Sequence, residues 1–196
     1  MNLCSNSAPK RWSCKPTSKY NSTKSPFSSS LSFSLILANV RSICNKIDSL
    51  KLFVDQYKPD ILAVTESLGR PSLLDSMITP SGYVLFRQDR CTRFGGGVFM
   101  LVKQSLSPSL YNASSLDSGP IFEDSVWCSF PVSGGKSVLV GCLYRSPSST
   151  AENDALLSKL FDHISDAPFN FRVLVGDFMA RIHKGCLASN SVLFSV

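Results

Sequence analysis

The sequence predicts an α/β protein, a layered sandwich of mixed β-sheets covered by helices. Apolar residues make up 43% of the chain and charged residues 17%, proportions suited to a domain that buries a sizeable core. Short apolar runs of strand length recur along the chain, bounded by turn residues. Two segments with apolar residues at helical spacing interrupt them, and strands mixed with helices in this way form sheets with helical cover.

The elements follow in order. Residues 34–39 form an apolar run ending in Asn39. Ser42 is placed to cap a helix through its hydroxyl, with Ile43, Ile47, Leu50, Val54 and Tyr57 on one face. Pro59-Asp60 breaks that helix, and residues 61–66 read as a buried strand ending in Glu66. A loop leads to a strand at 83–86, a polar Gly-rich turn at 89–97 and a strand at 98–102. Residues 125–132 and 137–144 flank Ser133-Gly134-Gly135-Lys136, a hairpin pattern. Residues 151–164 carry Leu156, Leu157, Leu160, Phe161 and Ile164 as an amphipathic helix, and 171–178 read as the last strand. No element is expected after Phe178.

Charge is unevenly distributed. Five of the 20 basic residues, Lys10, Arg11, Lys15, Lys19 and Lys24, precede residue 33, where there is no acid. The rest of the chain carries 15 basic and 14 acidic residues, so its body is close to neutral and any phosphate attraction from net charge rests on the leader. Residues 1–32, rich in Ser, Lys, Asn and Pro, read as a disordered leader. Residues 33–178 read as the domain and 179–196 as a divergent tail. The seven cysteines have no metal-binding spacing and fit reduced thiols, with Cys128 and Cys142 as small core residues. No run reaches the length of a membrane span. An intracellular monomer is expected, with no membrane association.

Four apolar runs end in a polar residue: Asn39, Glu66, Tyr144 with Arg145 beside it, and Asp177 just before Phe178. Functional groups in α/β sheets gather beyond strand ends, and parallel strands would bring these to one rim. Two carboxylates and an amide oxygen would suit Mg²⁺ or Mn²⁺. Each residue also has an ordinary reading: a solvated Glu66, a turn-forming Asn39, a half-buried Tyr144, a rim charge at Arg145, a loop-starting Asp177.

The segments N-V-R-S-I-C-N-K (39–46), K-P-D-I-L-A-V-T-E-S (58–67), G-Y-V-L-F-R-Q-D-R (82–90), G-G-G-V (95–98), V-G-C-L-Y-R-S-P-S-S (140–149) and V-L-V-G-D-F (173–178) follow in this order. Together they resemble the apurinic/apyrimidinic-like endonuclease domain of non-LTR retrotransposons, within the endonuclease/exonuclease/phosphatase superfamily with its DNase I-like fold. The resemblance implies Mg²⁺- or Mn²⁺-assisted nicking of DNA, in the nucleus if DNA is the substrate. It implies Glu66 as metal ligand, with Asn39 arranging metal and phosphate. Tyr144 and Arg145 are implied as phosphate or DNA contacts, and Asp177 as the group that orients the attacking water.

Two departures stand against full activity. Met179 replaces an Asn that follows the aspartate in the family, and a thioether cannot donate to phosphate. The terminal Ser-Asp-His motif is absent, for His183 lies in A-R-I-H-K-G and His163 on the amphipathic helix. The expectation is an incomplete domain of retroelement origin with impaired nuclease activity. A remnant that binds nucleic acid weakly through its leader is the alternative, and a phosphatase or lipid phosphodiesterase of the same fold a third reading.

Overall fold

The inner faces of two β-sheets supply the central core of the computed structural model, which describes residues 32–70, 72–90, 95–113, 120–178 and 190–195. The strands are β1 (Leu35–Asn39), β2 (Ile61–Thr65), β3 (Tyr83–Gln88), β4 (Val98–Lys103), β5 (Ser109–Leu110), β6 (Ser125–Val132), β7 (Lys136–Arg145), β8 (Phe171–Phe178) and β9 (Asn190–Ser195). The helices are α1 (Ile47–Tyr57), α2 (Asp75–Ile78) and α3 (Ala151–Asp166). One sheet has the order β1-β2-β4-β3 and the other β5-β6-β7-β8-β9. Each sheet mixes parallel pairs, β1 with β2 and β7 with β8, with antiparallel ones. The expected fold class holds.

Period-two alternation explains why the central strands read as unbroken apolar runs. In β2, Ile61 and Ala63 enter the core between the sheets, while Leu62 and Val64 pack outward with Leu50 and Val54 of α1 and Ile78 of α2. In β7, Val138, Val140, Cys142 and Tyr144 face the other sheet, and Leu139 and Leu143 pack with Leu157 and Ile164 of α3. Helices thus cover both outer faces. Phe99 and Phe130 are among the largest fully buried side chains, and truncating either to Ala would cost about 3–5 kcal/mol.

Two local readings differ from the structure. Ser42 does not cap α1, which starts at Ile47 after Lys46 with no side-chain cap. Ser42 has a positive φ of 91° and its N–H donates to the Glu66 carbonyl at 2.8 Å. Loop 40–46 is tied to the end of β2, so tertiary hydrogen bonds override the local capping signal. Thr150 is the residue that caps, accepting from the Asn153 N–H at the start of α3. The second difference is β9, an unexpected strand pairing antiparallel to β8 with Asp177 opposite Asn190. It covers a β8 edge that would otherwise present unpaired backbone groups. Residues 1–31 of the leader 1–32, Met179 and His183 lie outside the described residues.

Burial pushes the Cys128 thiol up to about 12 and raises Cys142 still further, whereas Cys44 is exposed. Alkylation at neutral pH followed by peptide mapping should modify Cys44 in the native protein and spare Cys128 and Cys142 until it unfolds. Modification of either buried thiol at the rate of Cys44 would contradict this core.

A polar tie joins the start of both strands of the β1–β2 pair. Asp60 accepts from the Ser34 N–H at 2.7 Å, the Ser34 hydroxyl at 2.8 Å and Lys103 Nζ at 2.7 Å. Burial alone would raise its pKa, but the hydrogen bonds from Lys103 and Ser34 outweigh it and hold the carboxyl below its ordinary value. The tie therefore stabilises the fold above pH 3.8 and its contribution disappears as pH falls through the lower folded pKa. Asp60→Asn should lose about 1 kcal/mol or less at neutral pH, given the pair's partial exposure. Urea melts should show that deficit vanishing in strong acid; a deficit independent of pH would refute the linkage.

Candidate functional site

The parallel pairings bring four of the polar strand-end residues to one rim. Asn39 stands opposite Thr65 in the β1–β2 register, one residue before Glu66, and Tyr144 stands opposite Asp177 in the β7–β8 register. The two sheets meet at the Asn39 side chain. Its Nδ2 donates to Glu66 Oε1 at 2.8 Å and to Asp177 Oδ2 at 2.9 Å. A single amide group therefore holds carboxylates from different sheets within two hydrogen-bond lengths. Its Oδ1, offered by the sequence as a metal ligand, accepts instead from the Arg41 N–H at 3.2 Å. A backbone N–H can only donate, so this partner fixes which way the amide points.

Glu66 follows β2 in a left-handed conformation with φ 52°. Non-glycine residues rarely take this geometry, and here it is maintained by bonds on both sides. Val40 N–H donates to Thr65 O, Ser42 N–H to Glu66 O, and Ile43 N–H to Ser67 O. From the other side, Ser67 N–H donates to Gly97 O and Leu68 N–H to Gly96 O. The Gly95–Gly97 run is accordingly a turn bracing the Glu66 segment. All three of its glycines have positive φ.

Tyr144 is 7% exposed. Burial is the main cause that pushes its hydroxyl up to about 12, followed by the charge of Glu66, a hydrogen bond to it and the charge of Asp177, while Arg90 opposes them. The phenol therefore stays protonated at neutral pH and donates to Glu66. Arg145 goes elsewhere. As the next residue in β7 it faces α3, where its Nε and Nη2 donate to Asp154 Oδ1 and Oδ2 at 2.9 and 2.7 Å.

Arg90 and Asp124 belong to this rim and were not singled out by the sequence reading. Asp124 Oδ1 accepts from Arg90 Nε at 3.1 Å and from the Gly97 N–H at 2.9 Å, and its other oxygen pairs with Arg90 Nη2. The only sequence signal was an acidic residue just before β6, indistinguishable locally from a solvated loop charge.

Among the described residues no group of three or more His, Cys, Asp or Glu is placed to hold a metal ion. The donor set nonetheless suits a hard cation. Two carboxylates that would otherwise repel each other converge beside a neutral hydroxyl. Mg²⁺ takes one or two carboxylates and fills its octahedron with water and phosphate oxygens at about 2.1 Å.

The bridging amide generates a stability prediction. Asn39→Ala removes two hydrogen bonds to charged groups and should cost about 3 kcal/mol or more. Asn39→Asp keeps the shape but adds a third carboxylate, and should destabilise further at neutral pH. Urea unfolding of both variants checks the order; an Asn39→Asp protein as stable as the native one would contradict the bridge.

No protein-family model matches the sequence, and comparison with curated proteins finds no match. Solved structures do match. An AP endonuclease from Archaeoglobus fulgidus superposes with a TM-score of 0.57 at 20% identity, over 74% of this chain and 57% of that one. The endonuclease domain of TRAS1, a telomere-specific non-LTR retrotransposon, gives 0.54 at 12% identity over 77% and 61%. The Neisseria 3' phosphatase NExo, bound to a product DNA hairpin, gives 0.51 at 17% identity over 76% and 60%. The chain spans about three fifths of the length of these proteins. The two facing mixed sheets and their helical cover are thus those of the endonuclease/exonuclease/phosphatase fold.

Proposed function

We propose that this rim is the metal and phosphate side of a divalent-metal-dependent phosphodiesterase site whose substrate is DNA, of the type found in non-LTR retrotransposon endonucleases. The observation that carries the reading is the Asn39 amide bridging Glu66 and Asp177 across the two sheets. The ordered motifs of the sequence and the likeness to the TRAS1 endonuclease domain support the retroelement branch.

In this reading Glu66 holds Mg²⁺ or Mn²⁺, with Asn39 fixing the carboxylate through its amide. The cation, when bound, polarises the phosphodiester and lowers the pKa of bound water. Asp177 accepts a hydrogen bond from the attacking water and aims it at phosphorus. Tyr144, kept neutral by burial and its acidic neighbours, turns its single O–H from Glu66 to a phosphate oxygen when substrate binds. Arg145 is a rim cation for phosphate or DNA, anchored to α3 through Asp154.

Completion of the reaction also needs a group to stabilise the leaving oxygen. Met179 cannot donate as an Asn would. Loss of one such transition-state donor commonly costs a hundredfold or more in rate. The expected behaviour is metal binding with weak nicking. NExo, described as a 3' phosphatase, favours a phosphomonoesterase as the second reading.

Mn²⁺ binding measured by electron paramagnetic resonance, alongside Mg²⁺-dependent nicking of supercoiled plasmid, tests the proposal. Wild-type protein should bind Mn²⁺ and Glu66→Ala should lose about tenfold or more in affinity. A protein that binds no Mn²⁺ would sink the metal-site reading. Rapid nicking abolished by Glu66→Ala would overturn the expected impairment, while release of phosphate from 3'-phosphorylated DNA without nicking would favour the phosphatase.

A further inference from the structure

The site is assembled from two sheets, and something must set the distance between them at the rim. Asn39 does so on one side of Glu66. On the other side lies the pair of Arg90, after β3, and Asp124, just before β6. Their side chains are 12% and 4% exposed, which is unusual for charged groups away from an interface. Neither belongs to the strand-end set of the proposed site.

Asp124 makes bonds in three directions. Its carboxylate takes Arg90 by Nε and Nη2, and also the Gly97 N–H. Its main-chain carbonyl accepts from the Tyr144 N–H at 3.0 Å. Gly97 and Gly96 in turn accept from Ser67 and Leu68, at 3.1 and 3.0 Å, in the segment that follows Glu66. Tyr144 and Glu66, which touch each other across the sheets, are thus both tied to the same aspartate. A Cβ on Gly96 would lie 2.7 Å from Arg90 Cζ and from Asp124 Oδ1. The turn has glycine there because the pair packs directly against its backbone. Arg90 is also the positive charge acting on the Tyr144 hydroxyl.

We propose that Arg90 and Asp124 are positioning residues, a buried ion pair that locks the Gly95–Gly97 turn of one sheet to β7 of the other and so holds Tyr144 against Glu66. The role of the pair is geometric: it fixes the separation of a phosphate-binding hydroxyl from a metal-binding carboxylate. This rests on the phosphodiesterase reading for its functional consequence, but the geometric claim stands without it.

A buried ion pair can also be mere scaffold. Replacing both partners with apolar residues separates the two roles, because removing both charges leaves none unpaired and commonly preserves stability. The decisive variant is Arg90→Met with Asp124→Leu, compared with Arg90→Lys, which keeps the charge but loses the fork that grips the carboxylate. Proteins carrying 3-fluorotyrosine at the five tyrosines are compared by fluorine NMR, with the Tyr144 resonance assigned by its loss in Tyr144→Phe.

In the folded double variant the Tyr144 resonance should move to where Glu66→Ala places it, and Arg90→Lys should give a smaller displacement in the same direction. In plasmid nicking, kcat should fall about tenfold or more with KM little changed, since orientation and not substrate binding is lost. If the double variant fails to fold, Arg90→Lys supplies the same test. A Tyr144 resonance that stays at its wild-type position in a folded variant would overturn the proposal. Absence of nicking in wild type would count against the functional reading alone, because the resonance still decides the positioning claim.

Discussion

Everything at the functional rim depends on how the inner faces of the two sheets pack. Ile61, Ala63, Val98, Met100 and Val102 of one sheet meet Val126, Cys128, Val138, Val140, Cys142, Val173 and Val175 of the other. These side chains are short and many are β-branched, so the sheets approach closely in a fixed register. Burial of this apolar surface is the main stabilising term, at about 25 cal/mol per Å². It also fixes the candidate site, because the two parallel strand pairs can deliver their terminal residues to one place only if the layers do not slide.

Polar groups refine that packing at the rim. Asn39 holds two like charges together through one amide group, an arrangement worth about 1.5–3 kcal/mol per charged hydrogen bond but opposed by carboxylate repulsion. Asp124 adds a second crosslink between layers a short way along. Glu66 in a left-handed conformation between them is the kind of strain that persists only when the surroundings over-determine it. A rim braced this heavily is preorganised, and under the phosphodiesterase reading such preorganised dipoles and charges are what would lower the barrier.

The likeness to solved nucleases and phosphatases shows which fold this chain has, and fold alone chooses neither activity nor substrate. In this chain Asn39, Glu66, Tyr144 and Asp177 converge. Arg145 shows what the tertiary structure adds to a position read from sequence. It follows Tyr144 directly, yet alternation along β7 turns it to the opposite face and into a bidentate grip on Asp154.

By itself the sequence determined the layers and the strand ends. Continuous apolar runs such as 61–65 and 138–143 mark strands covered on both faces, and Leu157 and Ile164 recur at the spacing of a helix that covers one of them. Both signals are local periodicities, so one strand or helix suffices to show them. Tertiary structure alone decided which ends meet, because Asn39 and Asp177 lie 138 residues apart. It also decided that loop 40–46 bonds to β2 where Ser42 promised a cap, that residues 190–195 find a partner in β8, and that Asp124 turns inward to Arg90. In each case the local alternative is worth a single hydrogen bond or a solvated charge. Contacts made only after the sheets have packed outweigh it, and those contacts leave no periodicity in the chain to read.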